Sequence, residues 1–179
     1  MQDAVKVSTR QKNKALAALV LVSIIWGSGF IATEEVIRAQ WSTNLVMASR
    51  FSLAALLLGI CIAGKLRQTR RVELRAGAIS GFLLYAAFYC QTSGQAQTTV
   101  SNSALLTALN VLIVPFLARL CLRRSLQLAV LSFSGLAFIG MLFLSYREGR
   151  FEFNRGDLLV MLCAFLFAAH ITSLDAFST

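Results

Sequence analysis

The stretch ALAALVLVSIIWGSGFIATEEV, Ala15–Val36, decides the fold class. It carries no charged residue before Glu34, and it has the ~20 residues an α-helix needs to cross ~30 Å of hydrocarbon. Five similar segments follow: Asn44–Ala63, Ala76–Gln95, Ser101–Leu120, Leu126–Tyr146 and Leu158–Leu174. Hydrocarbon offers the backbone no hydrogen bonds, so each segment must satisfy itself as a helix. The expected fold is an all-α membrane protein of about six transmembrane helices. Composition agrees, with 57% hydrophobic and 14% charged residues and a mean hydropathy of +0.69. These values lie far from those of soluble domains.

The basic residues give the topology. Lys6, Arg10, Lys12 and Lys14 precede the first segment. Lys65, Arg67, Arg70, Arg71 and Arg75 follow the second, and Arg119, Arg123 and Arg124 close the fourth. These twelve fall on one side if every segment crosses, against Arg38, Arg147, Arg150 and Arg155 on the other. The positive-inside rule therefore places the N-terminus in the cytoplasm. A net charge of +9 spread over alternate loops is a topology signal. A nucleic-acid partner would call for one basic face, so none is expected.

The first segment is too long for a signal-peptide core and lacks a small-residue cleavage site before Glu34 and Glu35, which makes it the first span. Cys61, Cys90, Cys121 and Cys163 are widely spaced in or beside apolar segments, without a Cys-x-x-Cys pair. That spacing suggests neither metal nor redox chemistry, and no cofactor is expected. No polar stretch is long enough to fold alone.

Several residues within the spans need a reason to be there. Trp26-Gly27-Ser28-Gly29-Phe30 lies midway along the first span, although tryptophan prefers the interface. Its glycines permit either close helix packing or a loosened stretch beside a substrate cavity. Arg50 lies two turns into the second span, at about 2.5–3.5 kcal/mol on insertion scales. Glu34 and Glu35 are the nearest acids in sequence, and a pair with Arg50 competes with a substrate role. The third and fourth spans meet in an uncharged polar run from Gln91 to Ser103 that includes Asn102. Tyr85 and Tyr89, one turn apart, precede it, and Thr107, Asn110 and Pro115 follow it. These groups either cross-link helices or line an aqueous cavity, and the cavity is the preferred reading. Gly77 and Gly81 form a GxxxG whose default role is packing. His170 and Asp175 match the H-x4-D spacing of glycerolipid acyltransferases. That chemistry belongs at a membrane surface within a soluble domain, so His170 is read as a packed, hydrogen-bonded or proton-coupling residue.

The strings WGSGF at 26–30, Arg50-Phe51 before LAALLLG, QTSGQAQTTVSNSALLTALNVLIVPFLA at 91–118 and GDLLVMLCAFLFAAHI at 156–171 resemble the EamA-type drug/metabolite transporters. The resemblance implies ten helices in two inverted five-helix repeats about a central cavity. It also implies a multi-pass place in the bacterial inner membrane and export of amino acids, other metabolites or drugs. It puts Trp26, Gly27, Gly29, Tyr85, Tyr89, Gln91, Asn102, Thr107, Asn110 and His170 at or near the cavity. Family members usually carry a lysine near the position of Glu34 and often a glutamate near that of Arg124, so substrate class does not carry over. The expected organisation is a basic tail (1–14), a first repeat (15–146), a periplasmic loop (147–157) and the opening helix of a second, incomplete repeat (158–179). The partners implied are the bilayer, a small-molecule substrate, and a second half-transporter or a further copy of the chain. A non-transporting fragment or assembly partner is the alternative, with an acyltransferase using His170 and Asp175 behind it.

Overall fold

The computed structural model describes residues 9–66, 68–126, 128–145 and 154–178. Most of the basic tail and of the 147–157 loop lies outside the described residues. What is described is helical, with no strand: α1 (Thr9–Arg38), α2 (Thr43–Leu66), α3 (Arg71–Gln95), α4 (Val100–Ala108), α5 (Asn110–Leu122), α6 (Leu128–Ser145) and α7 (Arg155–Phe177). Each predicted span has its counterpart, the fourth one divided into α4 and α5.

Local chemistry sets several of these boundaries. The Arg70 N–H donates to the Glu73 carboxylate at 2.7 Å, which starts α3. The Thr99 hydroxyl accepts from the Asn102 N–H at 3.1 Å and starts α4. Asn154 and Asp157 form a reciprocal capping box on α7, satisfying N–H groups that a helix start leaves free. The break between α4 and α5 falls at Leu109, where the Leu109 N–H bonds the Leu106 carbonyl in a tighter turn. Pro115 lies just beyond it. The missing N–H and bulky ring of proline disturb the turn before it. Arg123 ends α5 in the left-handed conformation, φ 54° and ψ 26°, a backbone state common at helix C-termini.

Among the described residues four apolar helical stretches are long enough to cross a membrane: Arg10–Arg38, Thr43–Lys65, Val100–Leu122 (α4 and α5 together) and Arg155–Phe177. α3 has the length, but Arg71, Glu73 and Arg75 occupy one end and the polar run Gln91–Gln95 the other. α6 has a shorter apolar core, Leu128–Gly140. The polar ends of α3 and the short apolar core of α6 explain why apolar runs in the sequence mark six spans while the described helices include four of full apolar length.

The centre of the bundle is an antiparallel pair, α3 against α7, with α4 and α5 also touching α7. Buried residues of α7 recur at helical spacing: Gly156, Val160, Cys163, Ala164, Phe167 and Ala168. The opposing stripe of α3 includes Ala87, Gln91, Gly94 and Gln95. Lipid is as apolar as the helices, so close packing and interhelical hydrogen bonds hold such a pair, and small residues dominate the seam. At one end Gly94 meets Gly156; a Cβ on Gly156 would lie 2.6 Å from the Gly94 carbonyl oxygen. Midway, Ala87, Cys163 and Phe167 form the apolar core. At the other end Ser80 Oγ meets Ser173 Oγ at 2.9 Å, and His170 Nδ1 lies 2.8 Å from the Ser80 carbonyl oxygen.

Gly77 and Gly81 are not part of this seam. A Cβ at either position would meet nothing within 4 Å, so the GxxxG expected to pack does not do so among the described residues. Gly77→Ala and Gly81→Ala should therefore change stability by less than about 1 kcal/mol, with alanine's better helix propensity favouring a small gain. Heating the detergent-solubilised protein and following its monodisperse peak measures this. A large loss would mean that another helix packs on that face.

Candidate functional site

Three helices border a partly open cavity of about 160 Å³, lined by Ile25, Trp26, Gly29 and Phe30 from α1, Arg50 from α2, and Phe88 and Gln91 from α3. The WGSGF stretch is uninterrupted helix, so it is not loosened. Gly29 instead leaves room: nothing lies within 4 Å of where its Cβ would be. Gly27 is equally open but does not line the cavity.

The walls are aromatic. Phe88 packs edge-on against Phe167 with ring centroids 5.1 Å apart, and against Phe51 at 6.0 Å. Trp26 touches both Phe167 (5.9 Å) and Phe88 (6.4 Å). The chain of rings continues from Phe51 to Tyr85 and from Tyr85 to Tyr89. Edge-to-face geometry fixes ring orientation beyond simple burial. Trp26 meets its two phenylalanines in tilted contacts, and half its surface stays exposed.

Arg50 lies with its guanidinium carbon 4.5 Å from the Phe88 centroid, a cation–π contact. Its Nη1 is buried and has no hydrogen-bond partner among the described residues. The Arg50–Glu34 and Arg50–Glu35 pairs considered from sequence do not form. Glu34 and Glu35 instead bind Arg38, at 3.1 and 3.7 Å. One and one-half turns or less separate these three residues on α1, so the local pair needs no approach between helices.

The polar run serves mostly to link helices. Gln91 Nε2 donates to Thr107 Oγ1 at 3.1 Å, joining α3 to α4. Gln95 Nε2 donates to the Phe30 carbonyl at 2.8 Å, tying α3 to α1. Thr98 Oγ1 donates to the buried Asp157 carboxylate at 2.6 Å, tying the loop to α7. Of this run only Gln91 also lines the cavity. Asn102 sits in the first turn of α4 and Asn110 opens α5; both stand outside the cavity, as do Tyr85, Tyr89, Thr107 and His170. His170 is engaged with Ser80 while Asp175 pairs with Arg124 at 3.1 Å, so these two are not joined as a catalytic couple.

Sequence reasoning missed Phe88 and Ile25, and had Phe30 only as the end of the WGSGF stretch. Phe88 is one turn from Tyr85 on α3, and Phe30 one turn from Trp26 on α1, spacings that place each pair on one helix face.

The chain matches the EamA-like transporter family over residues 13–146, and it belongs to that family. It is also 29% identical over 162 residues to a protein of Archaeoglobus fulgidus named only as an uncharacterized transporter. The match covers 89% of this chain and 48% of the relative, so the chain spans about half the length of that protein. No solved structure matches.

Proposed function

We propose that this chain forms one half, with the opening helix of the other, of an exporter of small metabolites such as amino acids or drug-like compounds. It works by alternating access in a bacterial inner membrane. The observation that carries this reading is the Arg50–Trp26–Phe88–Gln91 cavity, midway along α1, where a charge and a polar amide are held among aromatic walls. Family membership supports transport in general, and the divided α4–α5 span supports a bundle able to rock, since broken helices are common beside transporter sites. On this reading Trp26, Gly29, Arg50 and Gln91 contact the solute. Tyr85 and Tyr89 orient the aromatic wall, while Gly27, Asn102, Thr107, Asn110 and His170 shape the path beyond it.

A second reading, an assembly partner without transport of its own, is favoured by α1. Every residue from Arg10 to Ser28 is exposed, and from Ala15 onward an almost wholly apolar surface suits either lipid or another set of helices. A second half-transporter, or a further copy of the chain, would cover it. The test is flux from vesicles loaded with amino acids and drug-like compounds, following each solute by mass spectrometry. Transport predicts at least one solute leaving faster than from protein-free vesicles. Correctly inserted protein that changes no solute's rate would remove the claim for this chain alone and leave the partner reading.

A further inference from the structure

We propose that the Arg50 cavity is a carboxylate subsite that takes a small organic monoanion with a flat apolar body. This deepens the transporter reading by assigning the chemical class of its solute. A guanidinium stays protonated at any accessible pH, and a cation within a membrane span is expensive unless paired. Among the described residues Arg50 has no such pair. All five described acids are engaged elsewhere: Glu34 and Glu35 with Arg38, Glu73 with the Arg70 backbone, Asp157 with Asn154 and Thr98, and Asp175 with Arg124. The cation–π contact with Phe88 holds the charge in place without satisfying the N–H groups of buried Nη1. A carboxylate would do both, neutralising the charge and accepting charge-assisted hydrogen bonds.

The remaining walls define the rest of the ligand. Ile25, Trp26, Phe30 and Phe88 offer apolar and aromatic surface. The volume, about 160 Å³, is that of a cavity able to hold one benzene ring (about 150 Å³). Gln91 is the other polar group at the wall. One N–H of its amide is held by Thr107, which leaves its second N–H and its carbonyl oxygen to meet the ligand. A cationic solute is opposed by Arg50, and a neutral one leaves Nη1 unpaired, so the pocket discriminates by charge as well as by shape.

Benzoate is the probe, titrated against the full chain in zwitterionic-lipid nanodiscs. Trp26 fluorescence is the signal, in a Trp41→Phe background. Saturable quenching by benzoate is expected, with the neutral isostere benzamide and the cation benzylamine each about ten-fold or more weaker. Arg50→Gln should weaken benzoate to the level of benzamide and leave benzamide unchanged. Benzoate and benzamide binding equally, benzoate unaffected by Arg50→Gln, or no saturable response to benzoate would each overturn the assignment. The ligand comparison on the unaltered protein decides the matter even if Arg50→Gln does not fold. Benzoate binding without flux would keep the subsite and remove the transporter reading; flux of other solutes without benzoate binding would do the reverse.

Discussion

Gly156→Leu should detach α7 from the rest of the bundle. At the crossing of α3 and α7 the two backbones approach so closely that a Cβ on Gly156 would sit 2.6 Å from the Gly94 carbonyl and 2.8 Å from Gln97 Cβ. On Gly94 a Cβ would lie 2.7 Å from both the Gly156 carbonyl and Val160 Cγ2. Two of these obstacles are backbone, which cannot rotate away as a long side chain would. Overpacking of this kind commonly costs about 1–3 kcal/mol, and a leucine must push the helices further apart than a single methyl group does. The small-residue seam is what holds α7 in a solvent that gives helices no hydrophobic drive to associate. Gly156→Ala, the milder change, should lower the apparent Tm of the solubilised protein by several degrees, at about 2–4 °C per kcal/mol for a chain of this size. Gly156→Leu should go further and expose Cys163, which is fully buried on the seam. With Cys61, Cys90 and Cys121 replaced by serine, maleimide labelling of Cys163 reads this directly. An unlabelled Cys163 and an unchanged Tm in both variants would mean that the helices do not cross at these glycines.

The helical membrane fold was legible in the sequence because it depends on a crude quantity, the length of apolar runs, that no tertiary contact can override. Arg50 and Trp26 were legible for the same reason: each is out of place in hydrocarbon wherever it points. What could not be read was which neighbour each would find. Glu34 and Glu35 lie near enough in depth to suit Arg50, yet Arg38 on their own helix takes both, since a pair within one helix needs no interhelical approach. Gly77 and Gly81 have the packing motif and meet nothing, whereas Gly94 and Gly156, in no GxxxG spacing, make the closest glycine crossing among the described residues. A glycine's importance here depends on a partner 62 positions away, which one-dimensional spacing does not encode. The polar run was likewise visible, but its division between the cavity (Gln91) and helix links (Gln95, Thr98) depends on rotation about α3 and on the docking of α7. Asp157 was not singled out in the sequence, although Asn154-x-x-Asp157 is a recognisable helix-start pattern.

Asp157 is also where the second large effect is expected. Its side chain is 2% exposed and accepts two hydrogen bonds, from the Asn154 N–H at 2.9 Å and from Thr98 Oγ1 at 2.6 Å. The first belongs to the start of α7, and a carboxylate there also complements the positive end of the helix dipole. The second fastens α7 to the chain between α3 and α4. Asp157→Ala removes both acceptors at once. Losing a helix-start interaction commonly costs about 0.5–2 kcal/mol, and a buried donor left unsatisfied about 1–3 kcal/mol. Because Thr98 can turn its hydroxyl to another acceptor, a total of about 2–4 kcal/mol is expected, or roughly 5–15 °C in apparent Tm. Asp157→Asn keeps one carbonyl acceptor and should lose less. Thr98→Val preserves shape and removes the hydroxyl, so alone it should destabilise. Combined with Asp157→Ala it should add little, because the bond it deletes has already gone. Such non-additivity is the signature of a direct pair. Full additivity of the two changes would show that Thr98 and Asp157 act separately, and an unchanged Tm for Asp157→Ala would show that α7 is held by its glycine seam alone.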